Sequence, residues 1–135
     1  MLKMIILDTC AIIFDALDPK RLSKPAKHHI EQSDKDNELY CCDISFLEIA
    51  MLIQKKRIDP KIDTVSFLQL ILRARRLQIL TITPKIAAIA TNQELIQNNC
   101  DPVDRTIAAT AISHKFKLVT CDKKLRKLSE LVTIW

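Results

Sequence analysis

Four short stretches read as strands, at residues 2–7, 38–42, 117–120 and 132–135, and residues 78–81 could be a fifth extended piece. Their spacing limits the fold more than any other feature. Strands joined as hairpins need only about two to five residues between them. The shortest gap here, residues 121–131, already exceeds that, and the others are longer. Strands separated by helices demand crossover connections. The order therefore predicts an α/β protein: a three-layer α/β/α sandwich around a mostly parallel sheet of four or five strands. Helices are expected at 11–17, 24–32, 45–57, 64–76, 84–96 and 102–115, with a turn at Asp18-Pro19 and a polar loop over Ser33–Glu38. Pro84 and Pro102 suit the first turns of their helices, where a missing N–H costs nothing. With 135 residues in all, residues 1–135 are expected to form one domain with a core of its own.

Composition removes several function classes. Glycine is absent, so the phosphate loops built on glycine, Walker A and the dinucleotide fingerprint among them, are excluded. Cysteines stand at 10, 41, 42, 100 and 121, with no C-x-x-C pair. An odd set without zinc spacing reads as free thiols in a reducing cytoplasm. The apolar run before Asp8 is too short for a signal peptide or a membrane span. A net charge of +5 permits a polyanionic partner without requiring one.

In a doubly wound sheet, ligands bind beyond the carboxyl ends of the strands. What stands there is acidic. Asp8 follows the first run directly, and Asp122 follows the run ending at Thr120. Glu48 lies near the start of the helix after the second run, and Asp101 and Asp104 open the helix leading to the fourth. Each acid has a structural explanation too. Ser45-Phe46-Leu47-Glu48 reads as a capping box. Asp101-Pro102-Val103-Asp104 reads as an N-cap, a proline at N1 and an acid near the positive end of the helix dipole. Asp122 suits a turn or cap. Asp8 is hardest to explain structurally, since it interrupts Ile5-Ile6-Leu7 and Ala11-Ile12-Ile13 with no solvated face of its own.

Carboxylates gathered at one edge repel, and their pKa values rise unless a cation neutralises them. Oxygen ligands without neighbouring His or Cys at zinc spacing favour hard ions, Mg²⁺ or Mn²⁺. Four such acids suffice for two ions roughly 3.5–4 Å apart, the arrangement suited to in-line phosphodiester cleavage. His28, His29 and His114 lie too far from the acids in sequence to suggest a histidine base.

These residues resemble the PIN domain family. Leu7-Asp8-Thr9 is similar to its opening motif and Ser45-Phe46-Leu47-Glu48-Ile49-Ala50 to its second. The run from Asp101 to Ala111 resembles the third and Leu118-Val119-Thr120-Cys121-Asp122 the fourth. The nearest subgroup is the VapC-like toxin ribonucleases of bacterial toxin–antitoxin pairs. The resemblance implies a Mg²⁺- or Mn²⁺-dependent endoribonuclease with Asp8, Glu48, Asp104 and Asp122 as the metal-binding, catalytic acids. Asp104 is preferred to Asp101 because it directly precedes the apolar, alanine-rich helical run; Asp101 becomes an accessory acid or cap. Thr9 and Thr120 become hydroxyls that orient carboxylates. Cys10 stands where the family usually has a small polar residue.

Three basic runs are candidate phosphate contacts: Lys55-Lys56-Arg57, Arg73-Ala74-Arg75-Arg76, and the group Lys115, Lys117, Lys123, Lys124, Arg126 and Lys127 that brackets Asp122. From the last, Lys115, Lys123, Lys124 and Arg126 are expected to guide RNA. The six aromatic residues do not alternate with Lys or Arg, which argues against a base-stacking RNA platform. Ile44–Ile53 and Val65–Leu72 are apolar nearly all round. Such helices are central or covered by another chain. The resemblance supplies the cover: a cognate antitoxin, a homodimer, or a higher assembly with the antitoxin. Two other readings share the chemistry. A receiver-type phosphoacceptor also places acids and Mg²⁺ at strand ends, but needs an acidic pair after its first strand. A nuclease for structured DNA would use the same site, but needs clamps that a chain this short cannot hold.

Overall fold

The computed structural model describes residues 4–135. Strand β1 (Ile5–Leu7) leads into α1 (Thr9–Leu17), and a single 3₁₀ turn (Pro19–Arg21) precedes α2 (Lys24–Lys35). Strand β2 (Leu39–Cys42) feeds α3 (Ile44–Gln54) and α4 (Thr64–Ala74), followed by β3 (Gln78–Leu80). Then come α5 (Pro84–Ile89), α6 (Gln93–Gln97), α7 (Pro102–His114), β4 (Lys117–Val119), α8 (Lys123–Arg126) and β5 (Thr133–Ile134). Of the first expected strand, Leu2 and Lys3 lie outside the described residues.

The strands form one parallel sheet in the order β3-β2-β1-β4-β5. Side chains alternate between its faces. Ile5, Leu7, Leu39, Cys41 and Val119 pack with Ile12, Ile30, Ile49 and Phe67 from the helices on one face. Ile6, Cys42 and Leu118 pack on the other with Leu95, Ile107, Ala108 and Leu125. Helices cover both faces, so the central strands are continuously apolar. Ala108 and Ala111 keep α7 close to the sheet, since both are fully buried and neither holds the backbone away. This is the expected three-layer sandwich. Arg75 also ties three helices together, meeting Asp15 through both Nε and Nη2, at 2.9 and 3.0 Å, and Asp34 at 3.4 Å.

Several boundaries differ from expectation for local reasons. The helix expected over 84–96 is two helices, because Asn92 caps a new one by accepting from the Leu95 N–H at 3.0 Å. The first helix starts at Thr9, since Asp8 accepts from the Ala11 N–H at 2.7 Å. The helices expected to reach 57 and 76 stop at Gln54 and Ala74. Just beyond them, Lys56 and Arg76 turn into the left-handed region. Asn37, Asn99 and Lys115 close other helices in the same way. In a chain without glycine, residues with a Cβ take these positions and bear the steric cost.

Candidate active site

The carboxyl ends of the strands form one edge, with β1 at the centre of the sheet. Asp8 occupies that edge. Its backbone N–H donates to the Val119 carbonyl at 3.1 Å, continuing the ladder between β1 and β4 one residue further. Its carboxylate caps α1 and is buried, at 5% exposure. Burial pushes its pKa up to about 6. Hydrogen bonds from Thr120 and the Ala11 N–H oppose the rise, while the charges of Asp122 and Glu48 add to it.

Asp104 lies in the first turn of α7, half-buried. Burial first, and then the charges of Asp101, Asp122, Glu48 and Asp8, push it up to about 7. Of the four acids picked from the sequence, Asp8 and Asp104 are thus both raised by the charges of Glu48 and Asp122, which stand on other elements. The separate structural explanations of the acids resolve unevenly. Asp122 caps α8, accepting from the Lys124 N–H at 2.8 Å. Asp101 caps α7, accepting from the Asp104 N–H at 2.9 Å, and is exposed. A cap uses one carboxylate oxygen, so capping is compatible with a second role.

The capping box is not formed. α3 begins at Ile44, placing Ser45 inside the helix, where it is fully buried. Its Oγ lies 3.0 Å from the Thr9 Oγ1. Glu48 therefore sits in the second turn and has no capping duty. The same contact gives the Thr9 hydroxyl another partner than the one expected: among the described residues it meets Ser45 and so joins the start of α1 to α3. Thr120 does serve the acids, accepting from the Asp122 N–H at 3.1 Å and bonding Asp8. Asp43, which the sequence did not single out, also stands on this edge. It turns toward β3 instead, accepting from the Ile82 N–H at 3.3 Å.

The third basic group divides. Lys123, Lys124 and Arg126 belong to α8, directly after Asp122 on the acid edge. Lys124 Nζ donates to the Asn99 carbonyl at 3.2 Å. Lys115 and Lys117 lie at the other end of β4, level with Ile5 at the start of β1. A strand rises about 3.3 Å per residue, so β4 separates them from the acids by roughly 10 Å. Lys115 is therefore not at the site. Bracketing in sequence became opposite edges in space.

The thiols at the edge are both pushed up by burial and neighbouring negative charge. Cys10 is exposed as a residue. Even so, loss of water around its sulfur, followed by the negative charges of Asp8, Cys121, Glu48 and Asp104, pushes it up to about 12. A thiol held so high is protonated at neutral pH.

The donor set suits a hard divalent cation: the carboxylates are the coupled groups, and the raised Asp8 and Asp104 are what positive charge would relieve. Among the described residues, no three His, Cys, Asp or Glu side chains come together closely enough to hold a metal ion. The fit therefore rests on charge and donor chemistry, with Mg²⁺ and its retained waters needing fewer direct protein ligands than a cage supplies.

A parallel α/β sandwich with coupled acids at its carboxyl edge defines the class, and the chain belongs to the PIN domain family, whose domain matches residues 5–131. Within the family it groups with the VapC proteins: it is 37% identical over 133 residues to Ribonuclease VapC22 of Mycobacterium tuberculosis, covering 97% of this chain and 98% of that one. Two solved structures show the same fold at lower identity. VapBC2 from Rickettsia felis, bound to a promoter DNA fragment, gives a TM-score of 0.74 at 22% identity, covering 96% of each chain. DNA-bound VapBC from Salmonella typhimurium gives 0.69 at 18% identity, covering 98% and 97%.

Proposed function

We propose that this protein is a Mg²⁺- or Mn²⁺-dependent endoribonuclease, the toxin of a toxin–antitoxin pair. The observation that carries the reading is the raising of Asp8 and Asp104 by burial and by the charges of Glu48 and Asp122, in a chain 37% identical to a ribonuclease along nearly its whole length. These acids would hold the cation. A divalent cation held there would supply activation of water and charge stabilisation at the leaving oxygen of the phosphodiester.

The chain's own residues do the rest. Thr120 orients both Asp8 and the backbone of Asp122, fixing two carboxylates on adjacent strand ends. The Thr9–Ser45 contact locks the start of α3, which carries Glu48, against the start of α1. Asp101 caps α7 and keeps Asp104 on the edge. Lys123, Lys124 and Arg126 supply positive charge beside Asp122 for the RNA backbone. The family assignment, with Glu48 inside a helix, leaves the phosphoacceptor reading without support.

The partner reading has its own observation. On α3, Leu47 and Met51 are 57% and 45% exposed; on α4, Val65 and Leu70 are 63% and 49% exposed. Large apolar side chains left exposed on two neighbouring helices support a covering partner there. A cognate antitoxin and a second copy of the chain are the proposed covers, in line with the VapBC relatives. Light scattering that shows only monomer at micromolar concentration, with no co-purifying small protein, would contradict this.

Cleavage of RNA by purified, partner-free protein tests the central reading. Activity should need added Mg²⁺ or Mn²⁺, vanish with EDTA, return on adding excess metal, and be lost in Asp8→Asn and Asp104→Asn. Undiminished cleavage in excess chelator would overturn it.

A further inference from the structure

Next to the acid edge lies a groove of about 400 Å³ that nothing above has used. It opens beside Cys10, two residues beyond Asp8, and runs between the end of α1 and the segment after α3. Its floor is apolar, with Phe14, Leu52 and Ile58 among its lining. Its rim carries two guanidinium groups, Arg21 from the 3₁₀ turn and Arg57 from the segment after α3.

Arg21 is pre-positioned. Its guanidinium carbon sits 4.2 Å from the centre of the Phe14 ring. Phe14 is itself held against Trp135, with ring centres 6.3 Å apart. A guanidinium stacked on an aromatic face loses little further freedom when its N–H fork takes a phosphate. Neither Arg21 nor Arg57 is in an ion pair among the described residues. Two acids share the rim, Asp18 and Asp59. Asp59 is paired with Lys61 at 3.0 Å.

We propose that Arg21, with Arg57 across the groove, binds an RNA phosphate flanking the scissile one, and that the apolar floor receives the adjoining base. The proposal rests on the ribonuclease reading and names the substrate subsite of that activity. Arg21 and Arg57 are positioning residues: they hold the strand so that the next phosphate lies over the acids. Two phosphates fixed at once also give a reason for cleavage within a strand.

The test is steady-state cleavage of a pool of mixed-sequence single-stranded RNA by the full-length protein with Mg²⁺, across a salt series. Arg21→Ala should raise KM about tenfold with kcat close to wild type, the loss expected for one charge-assisted phosphate contact. The salt dependence of kcat/KM should become shallower, by about 0.7 in log–log slope for one lost phosphate contact on a single strand. Arg21→Lys should restore that slope but not the full KM, because an ammonium keeps the charge and loses the stacked fork. Arg21 is exposed, so these variants leave the core untouched. If wild type cleaves while Arg21→Ala keeps both KM and the salt slope, the subsite is wrong and the ribonuclease reading stands. If wild type neither binds nor cleaves the pool, both fail. If the variant cleaves normally but no longer retains its antitoxin, the groove belongs to a protein partner and the proposal is overturned.

Discussion

Asp8→Asn should inactivate the enzyme and, in the absence of metal, make it more stable. Asparagine is as good an N-cap as aspartate, so the bond from the Ala11 N–H survives the change. What the change removes is a charge that the fold disfavours. The Asp8 pKa rises from an ordinary 3.8 to about 6 on folding. Between those values the folded chain holds a proton that the unfolded chain has released. Stability is therefore fully present below about pH 4 and falls as pH rises toward 6. A difference near two units, at about 1.4 kcal/mol each, gives an upper figure of roughly 3 kcal/mol at neutral pH. Asp104 is shifted in the same direction. Urea unfolding in excess EDTA, followed at about pH 4 and about pH 7.5, measures the effect. The variant should gain about 1–3 kcal/mol at the higher pH and nothing at the lower. Adding Mg²⁺ should then stabilise wild type by mass action and the variant much less, closing the gap. A variant less stable than wild type at pH 7.5 in EDTA, or a gap that ignores pH, would refute the reasoning.

Other changes separate neighbouring roles. Asp101→Ala should cost about 1 kcal/mol in unfolding experiments, the value of a lost cap, and lower cleavage only in part, whereas Asp104→Asn should abolish cleavage with the cap intact. Lys115→Gly should stabilise the chain by about 0.5–1 kcal/mol, since Lys115 holds a φ of 58°, and should leave RNA cleavage unchanged from its position at the far edge. Ser45→Ala leaves the Thr9 hydroxyl buried without its partner, so thermal unfolding should show a loss of about 1–3 kcal/mol; Thr9→Val together with Ser45→Ala should recover part of it.

The order of elements was legible because strand runs and helical stretches alternate, and only a parallel sheet accommodates that alternation. Asp8 was legible for a related reason: an acid between two apolar segments can only stand at a strand end. Features that depend on distant partners were not. Ser45-Phe46-Leu47-Glu48 matches a capping box locally, yet Ser45 bonds Thr9, thirty-six positions away. The split at Asn92 was hidden because a cap within an apolar stretch reads as a polar position on a continuing helix. Lys115 and Lys123 are close in sequence, but a strand between them puts them at opposite edges. Arg21 carries no signal in the chain; only the 3₁₀ turn lays it over Phe14.

Calorimetric titration of Mn²⁺ into the partner-free protein addresses the shared carboxylate site most directly. Wild type should bind the ion, and Asp8→Asn, Glu48→Gln, Asp104→Asn and Asp122→Asn should each weaken that binding by about tenfold or more, as expected for a lost oxygen ligand or its close support. Binding that is absent from wild type, or that all four variants retain unchanged, would contradict the account.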